Sequence, residues 1–375
     1  MVLAMVMRGV FDGQAHVRIG GDAIHYLRMA QEPFSAVPQP YASRLLSPMM
    51  ARSIHGLGAE RWGWDASWVS LTFAALFLAA VTIRRFLAAT LRLDGWTATA
   101  LVLCLVFNYC WSLFLFEDPF LPDPLNNLFW ALAIAALFSD RFKTFLALLV
   151  IGSLNKEVIL LLTPLYPVLM LARYGSLRHR AFVTSLLGAL GVLLLYVGYR
   201  LILVRWLHPV EIVGGPIPGH SPADLLMTAV QYHQKDLVFS YRTFHFLWAL
   251  FVFALYELHR RGGWRNRYLL GSVTLLAMLL TARLFATDAD RVLVMAAPLI
   301  CGLTAALTAA RQQPGDYRLP ILLLLASMAL QIGWVAETSW QTVLDLVVVL
   351  FFVAGRRTLG LDQLSPATLG ELDRR

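Results

Sequence analysis

The chain has little charge. Only 14% of its 375 residues are Asp, Glu, Lys or Arg, against about 25% in a soluble domain. That deficit, beside 58% hydrophobic residues, excludes an ordinary water-soluble globule and points to a polytopic membrane protein. Cysteine is scarce. Cys104, Cys110 and Cys301 all lie inside apolar runs. Cys104 and Cys110 are six apart and so fall on different helix faces, and no disulfide framework or metal-ligand spacing is visible. They read as small buried hydrophobes. The chain also lacks a Gly-rich phosphate loop, an HExxH helix and a GxSxG elbow. Its formal charge of +8 raises the question of nucleic acid. No basic stripe interleaved with aromatics accompanies it, so no nucleic-acid partner is expected.

What the chain does have is apolar runs. They fall at about Ala66–Thr82, Trp96–Phe116, Leu125–Phe138, Phe142–Leu154, Val158–Leu171, Ala181–Val204, Phe244–Leu258, Tyr268–Phe285, Val292–Ala309, Leu319–Val335 and Thr342–Ala354. The expectation is an all-α transmembrane bundle of about eleven segments. Several are shorter than the ~17–25 residues of a full crossing and read as broken or re-entrant. Phe142–Leu154 and Val158–Leu171 are the clearest such pair, parted only by Asn155-Lys156-Glu157.

The loops alternate in charge. One set is basic: Arg84-Arg85, Arg141 to Lys143, Arg173 to Arg180, Arg260 to Arg267, Arg311 to Arg318 and Arg356-Arg357. The other carries the acids: Asp22 to Glu60, Glu117 to Asp123, Lys156-Glu157, Glu211 to Asp236, Asp288 to Arg291 and Glu337. The positive-inside rule puts the basic set in the cytoplasm and the acidic set outside. The expected organisation is one multi-pass domain over 1–355 in the plasma (inner) membrane. Residues 10–65 form a first outer loop with juxtamembrane helices, 205–242 a second long outer loop, and 356–375 a short cytoplasmic tail. Met1–Met7 is apolar but too short to span, and reads as the tail end of a first spanning helix.

The stretch Gly21–Ala51 is the most polar segment near the front of the chain. Asp22 precedes a helical pattern that ends at Pro33. It reads as a helix cap, as a carboxylate base for an acceptor hydroxyl, or as a metal ligand. His25 is placed to orient Asp22 or touch an acceptor, and Tyr26 is equally an interfacial anchor. Ser43–Leu57 is amphipathic and too short to span. The loop Glu117, Asp118, Asp123 is either half of a cation or sugar-hydroxyl site or a solvated Asp/Pro turn. Lys156 and Glu157 sit at a helix break, where charge is expensive unless something binds. Lys156 suits a phosphate as a point charge. Asp288 and Arg291 open a late segment as caps with an ion pair, or with Arg291 on phosphate oxygens. Arg44 has the same two readings.

These residues carry a resemblance. GDAIHYLRMA followed by PYASRLLSPMMA resembles the first outer loop of bacterial GT-C superfamily glycosyltransferases and their relatives, with an Asp, an aromatic soon after, and a Tyr-x-x-Arg-x-Leu-x-Pro run. Asp118 to Asp123-Pro124, the Lys156-Glu157 break and Asp288 to Arg291 fall where that group has a second acidic loop, a charged pair between short helices and a late D-x-x-R-like element. The resemblance implies an inverting hexosyl- or pentosyltransferase. Its donor would be a polyprenyl-phosphate sugar from the membrane, and its acceptor would enter from outside. Asp22 would be the base or metal-linked carboxylate. Lys156 and Arg291 would hold the lipid phosphate, and Glu117, Asp118 and Asp123 would shape the acceptor or cation site. The sequence does not decide whether a metal takes part; if a divalent cation, magnesium or manganese, does, Asp22 and Asp118 are the candidates to hold it.

Two rival classes remain. Broken helices beside charges also mark transporters and flippases, although no internal repeat is visible and the charges sit at one face rather than the midplane. A structural or assembly protein would carry the outer acids without using them.

Overall fold

The computed structural model describes residues 22–33, 37, 41–58, 62–91, 93, 95–106, 111, 118–207, 247–283 and 294–296. Glu117, Asp288, Arg291, most of the second long loop and most of the chain after 283 lie outside them. Among the described residues every element is helical and no strand occurs, as the apolar periodicity requires. Among the described residues three helices are long and apolar enough to cross a membrane: Trp64–Ala89, Glu157–Tyr174 and Arg180–Leu203. The chain divides into two compact units.

The first unit takes in Met1–Val81, Ser112–Thr163 and Leu186–Thr228. Helix α1 (Ala23–Gln31) buries Ala23, Tyr26, Met29 and Ala30, a spacing that makes one helical face. Pro33 follows its end, as expected. Helix α2 (Leu46–Leu57) carries Pro48 in its first turn, where a missing N–H costs nothing. Arg52 of α2 donates to the carbonyls of Ala30 and Gln31 at 3.1 and 2.7 Å. It thereby satisfies the orphan acceptors at the end of α1. At twelve residues α2 is about 18 Å long, too short to span.

Helix α3 (Trp64–Ala89) is 26 residues long. Its last residues and helix α4 (Gly95–Val106) belong to the second unit. Helix α5 (Asp123–Phe138) opens with Asp123-Pro124, which suits both the helix dipole and the missing N–H of proline. It closes on Asp140, whose φ is 55°. The N–H of Arg141 bonds the Ala136 carbonyl and that of Asp140 the Leu137 carbonyl, which is a Schellman ending with Asp at the left-handed position. Helix α6 (Phe142–Ser153) packs back on α5. A turn at 154–156 then gives way to a 3-10 segment, Glu157–Leu162, so the break expected at Asn155-Lys156-Glu157 is present. Trp68, Phe120, Trp130, Phe138 and Phe145 are fully buried in this unit.

The second unit takes in Thr82–Trp111, Pro164–Ser185 and Ala229–Arg375. Helix α7 (Leu165–Tyr174) ends on Gly175 at φ 64°. Helix α8 (Arg180–Leu207) begins in this unit and runs on into the other. Helix α9 (Leu247–Gly262) and helix α10 (Arg267–Arg283) follow. Asn266 caps α10 by accepting the N–H groups of Tyr268 and Leu269 at 3.0 and 3.1 Å, and α10 packs against α7. Helix α8 exposes Leu187, Leu194, Leu195 and Leu201 by 62–70%. Such a row is a liability in water and ordinary against lipid tails.

Gly152 fixes how closely α6 folds over the break. A Cβ there would stand 2.5 Å from Ile159 Cδ1 and 3.3 Å from Phe129 Cβ. Gly152→Val is expected to cost about 1–3 kcal/mol by overpacking, read as a lower midpoint of thermal unfolding in detergent. Adding Ile159→Ala should recover part of that loss. No recovery would mean that the Ile159 contact does not set the spacing.

Candidate functional site

All the contacts below belong to the first unit. Asp22 starts α1 but makes no side-chain cap. Its Oδ1 instead accepts a hydrogen bond from the Tyr41 hydroxyl at 2.6 Å. The cap reading of Asp22 therefore fails, and its carboxylate is aimed across the loop. Tyr41 lies in a 3-10 turn, Tyr41–Ser43. His25 stacks on the Tyr41 ring at 4.6 Å and does not hydrogen-bond Asp22. Tyr41, not His25, orients the acid.

The same turn positions Arg44, whose N–H bonds the Tyr41 carbonyl at 2.8 Å. Arg44 grips Glu157 with both arms, Nε to Oε2 at 3.0 Å and NH2 to Oε1 at 2.5 Å. Its NH1 donates to the Tyr26 hydroxyl at 2.7 Å. Tyr26 is 1% exposed, which overturns the interfacial-anchor reading. Burial alone would lower the Arg44 pKa, but Glu157 and Tyr26 outweigh it and the net direction is up. Arg44 stays charged. Burial also pushes the Tyr26 hydroxyl up, although Arg44 pulls it back in part. Tyr26 is a neutral strut for the guanidinium.

Beside this pair, Lys156 Nζ donates to Asp123 Oδ1 at 2.8 Å. Lys156 and Glu157 thus reach different partners, Asp123 and Arg44, while their own charges still attract. Asn155 is fully buried and stitches three segments. Its side-chain N–H donates to the Pro122 carbonyl at 2.8 Å, and its Oδ1 accepts from the Ser47 hydroxyl. The N–H of Leu46 adds a bond to the Leu154 carbonyl at 3.1 Å. The stretch Pro119–Asp123 is packed, with Phe120 edge-on to Trp68 and Thr72 donating to the Pro119 carbonyl at 3.2 Å. It is not a solvated turn. Asp118 precedes it, half-buried.

Helix α8 completes the cluster with residues that the sequence reading did not single out. Tyr199 donates to the Ser43 carbonyl at 2.9 Å, and Arg200 NH1 to the Ser43 hydroxyl at 2.5 Å. Arg44 and Glu157 both lie within electrostatic reach of Tyr196.

Asp22, His25, Tyr26, Arg44, Asp123, Lys156 and Glu157 therefore meet, from three separated stretches of chain. Glu117, Asp288 and Arg291 lie outside the described residues. Tyr41 was legible as the first letter of the Tyr-x-x-Arg-x-Leu-x-Pro run. Asn155 stood beside the charges that drew attention. Arg200 sits in a long apolar helix without a motif. No group of three His, Cys, Asp or Glu side chains gathers as a metal requires among the described residues, and Asp22 is turned to Tyr41. The described residues do not fit a divalent cation held by Asp22 and Asp118.

Removing one partner of a partly buried ion pair leaves the other short of its compensation. Arg44→Met is expected to cost about 1–3 kcal/mol in thermal or denaturant unfolding, since the Glu157 side chain keeps 34% of its exposure and water offsets part of the loss, and the double change with Glu157→Met should cost less than the single one. Equal losses would show that the pair carries no coupling. Burial and the bond to Asp22 push the Tyr41 hydroxyl from 10.0 up to about 12. The folded state holds that proton more tightly, so its contribution is complete below about pH 10 and is lost as pH rises through about 12. Stability of Tyr41→Phe should fall less steeply than wild type across that window, and parallel curves would contradict the assignment. Comparison with known proteins finds no matching family model, curated protein or solved structure.

Proposed function

We propose that this protein is an inverting membrane glycosyltransferase, moving a sugar from a polyprenyl-phosphate donor to an acceptor hydroxyl at the outer face. The observation that supports this reading best is the meeting of Asp22 with two ion pairs, Arg44–Glu157 and Lys156–Asp123. Charges at a membrane edge are costly. Here they hold the opening loop, the acidic loop and the helix break together around one oriented carboxylate.

The chemistry assigned to it is a single displacement. The acceptor hydroxyl gives its proton to Asp22, and its oxygen bonds the anomeric carbon. The bond from that carbon to the phosphate oxygen breaks on the opposite face, and polyprenyl phosphate leaves with the electron pair. Tyr41 holds one carboxylate oxygen and leaves the other to take the proton. A positioned base contributes about 10²–10⁴ in rate, and a cation on the departing phosphate supplies further stabilisation. No step needs a metal ion.

The test uses the purified protein in vesicles with a panel of polyprenyl-phosphate hexoses and pentoses. Asp22→Asn should lower transfer by about 10²–10⁴-fold while insertion and melting are unchanged, and the exposed Asp65→Asn should be silent. Normal transfer by Asp22→Asn would remove Asp22 from the mechanism. Uptake of a polar solute without any lipid-linked donor would favour the transporter reading instead.

A further inference from the structure

The cluster holds three cations, and two are already neutralised. Arg44 is clasped by Glu157 and Lys156 is bonded to Asp123. Arg200 is different. Its contacts are the Ser43 hydroxyl at 2.5 Å, the Tyr196 hydroxyl at 3.4 Å and the face of the Tyr196 ring, 6.0 Å from its centroid. All three are neutral. Both hydrogen bonds come from NH1, so among the described residues no protein acceptor takes the Nε–NH2 edge. That is the edge with which Arg44 holds Glu157, and it is the fork that matches two oxygens of a carboxylate or phosphate.

The surroundings hold this fork in place. Tyr196 and Arg200 are four apart on α8, so they share a face. Tyr199 on the next position ties that face to the Ser43 carbonyl. Ser43 itself is 1% exposed. Arg200 lies far along α8 from its basic start at Arg178–Arg180, on the stretch that joins the unit holding Asp22. An arginine in an apolar helix marks a site by default. The alternative is a side chain that snorkels to any lipid headgroup.

We infer that Arg200, with the Tyr196 and Ser43 hydroxyls, seats the phosphate monoester of an isoprenoid lipid. Arg200 gives two N–H bonds from Nε and NH2 to two phosphate oxygens. The hydroxyls stand at its NH1 side and fix its rotamer. A phosphate arriving here meets a full positive charge, whereas at Arg44 or Lys156 it would have to displace a carboxylate. The inference rests on the proposed transfer reaction for the isoprenoid chain and for what the phosphate does there, and on the Arg200 geometry for the oxyanion. Occupancy of the seat can be measured without turnover.

The experiment is binding of a short-chain isoprenyl monophosphate to the full chain in phosphatidylcholine nanodiscs, read as affinity and as ligand-induced thermal shift. Arg200→Gln should bind about 10–100-fold more weakly, the range expected for loss of charge-assisted bonds. Arg200→Lys keeps the charge without the fork and should fall between. Each variant's unliganded melt is measured alongside, and a misfolded Arg200→Gln leaves Arg200→Lys as the deciding variant. Unchanged affinity in a folded variant would overturn the proposal. So would equal binding of the isoprenyl alcohol, which lacks the phosphate. Inorganic phosphate that competes as well as the lipid would make the seat one for soluble phosphate, and phosphatidylglycerol that competes as well would make Arg200 a headgroup anchor. Either result overturns it. Arg200-dependent binding with no sugar transfer from any donor would keep the seat and sink the transferase reading.

Discussion

The structure of the first unit depends on one half-buried ion pair. Arg44 and Glu157 are 113 residues apart and meet through two hydrogen bonds. Each charge is partly withdrawn from water and is compensated by the other. Meeting fixes where the loop after α1 lies relative to the break after α6. Everything else in the site is arranged around that junction. Tyr26 braces the guanidinium from α1, and Tyr41 lies one 3-10 turn before it and reaches Asp22. The Asn155 bonds to Ser47 and Pro122 close the seam on its other side. A two-armed grip has direction as well as strength, so Arg44 sets an orientation that lysine would not.

The break itself follows from the same economy. An unbroken helix across 153–157 would keep the Asn155 side chain and the Lys156 and Glu157 charges on a regular spiral, facing three directions. The turn at 154–156 and the extended backbone of Lys156, with φ −158° and ψ 126°, let Lys156 turn to Asp123 while Glu157 turns to Arg44. Two adjacent opposite charges thus serve two separate anchors. One freed backbone carbonyl, that of Leu154, is satisfied by the Leu46 N–H.

The sequence was legible where the physics is local. Helical periodicity, the end of α1 before Pro33, the short α2 and the break at Asn155-Lys156-Glu157 can all be read from neighbouring residues. Which charge pairs with which cannot, because it depends on contacts far apart in the chain. Lys156-Glu157 reads in sequence as a pair with itself, and Tyr26 as an anchor at the surface. Asp22 before a helix reads as a cap, because capping is the commonest use of an Asp there. Only the position of Tyr41 in space turns it outward. Arg200 is hidden by its setting. Within Arg180–Leu207, hydropathy reports a membrane segment, and one arginine near its far end looks like the start of a loop.

Charge balance decides what the cluster is able to take up. Asp22, Asp123 and Glu157 lie in one cluster with Arg44, Lys156 and Arg200. Arg44 and Lys156 are each held within hydrogen-bond distance of a carboxylate, whereas Asp22 meets a phenol and Arg200 meets hydroxyls. A carboxylate on a phenol and an anion-binding guanidinium on hydroxyls form a site that is polarised within. On the proposed reading the polarity has a use. The proton leaves toward Asp22 as negative charge builds on the phosphate toward Arg200, so charge separates along a direction that the resting protein has already laid out.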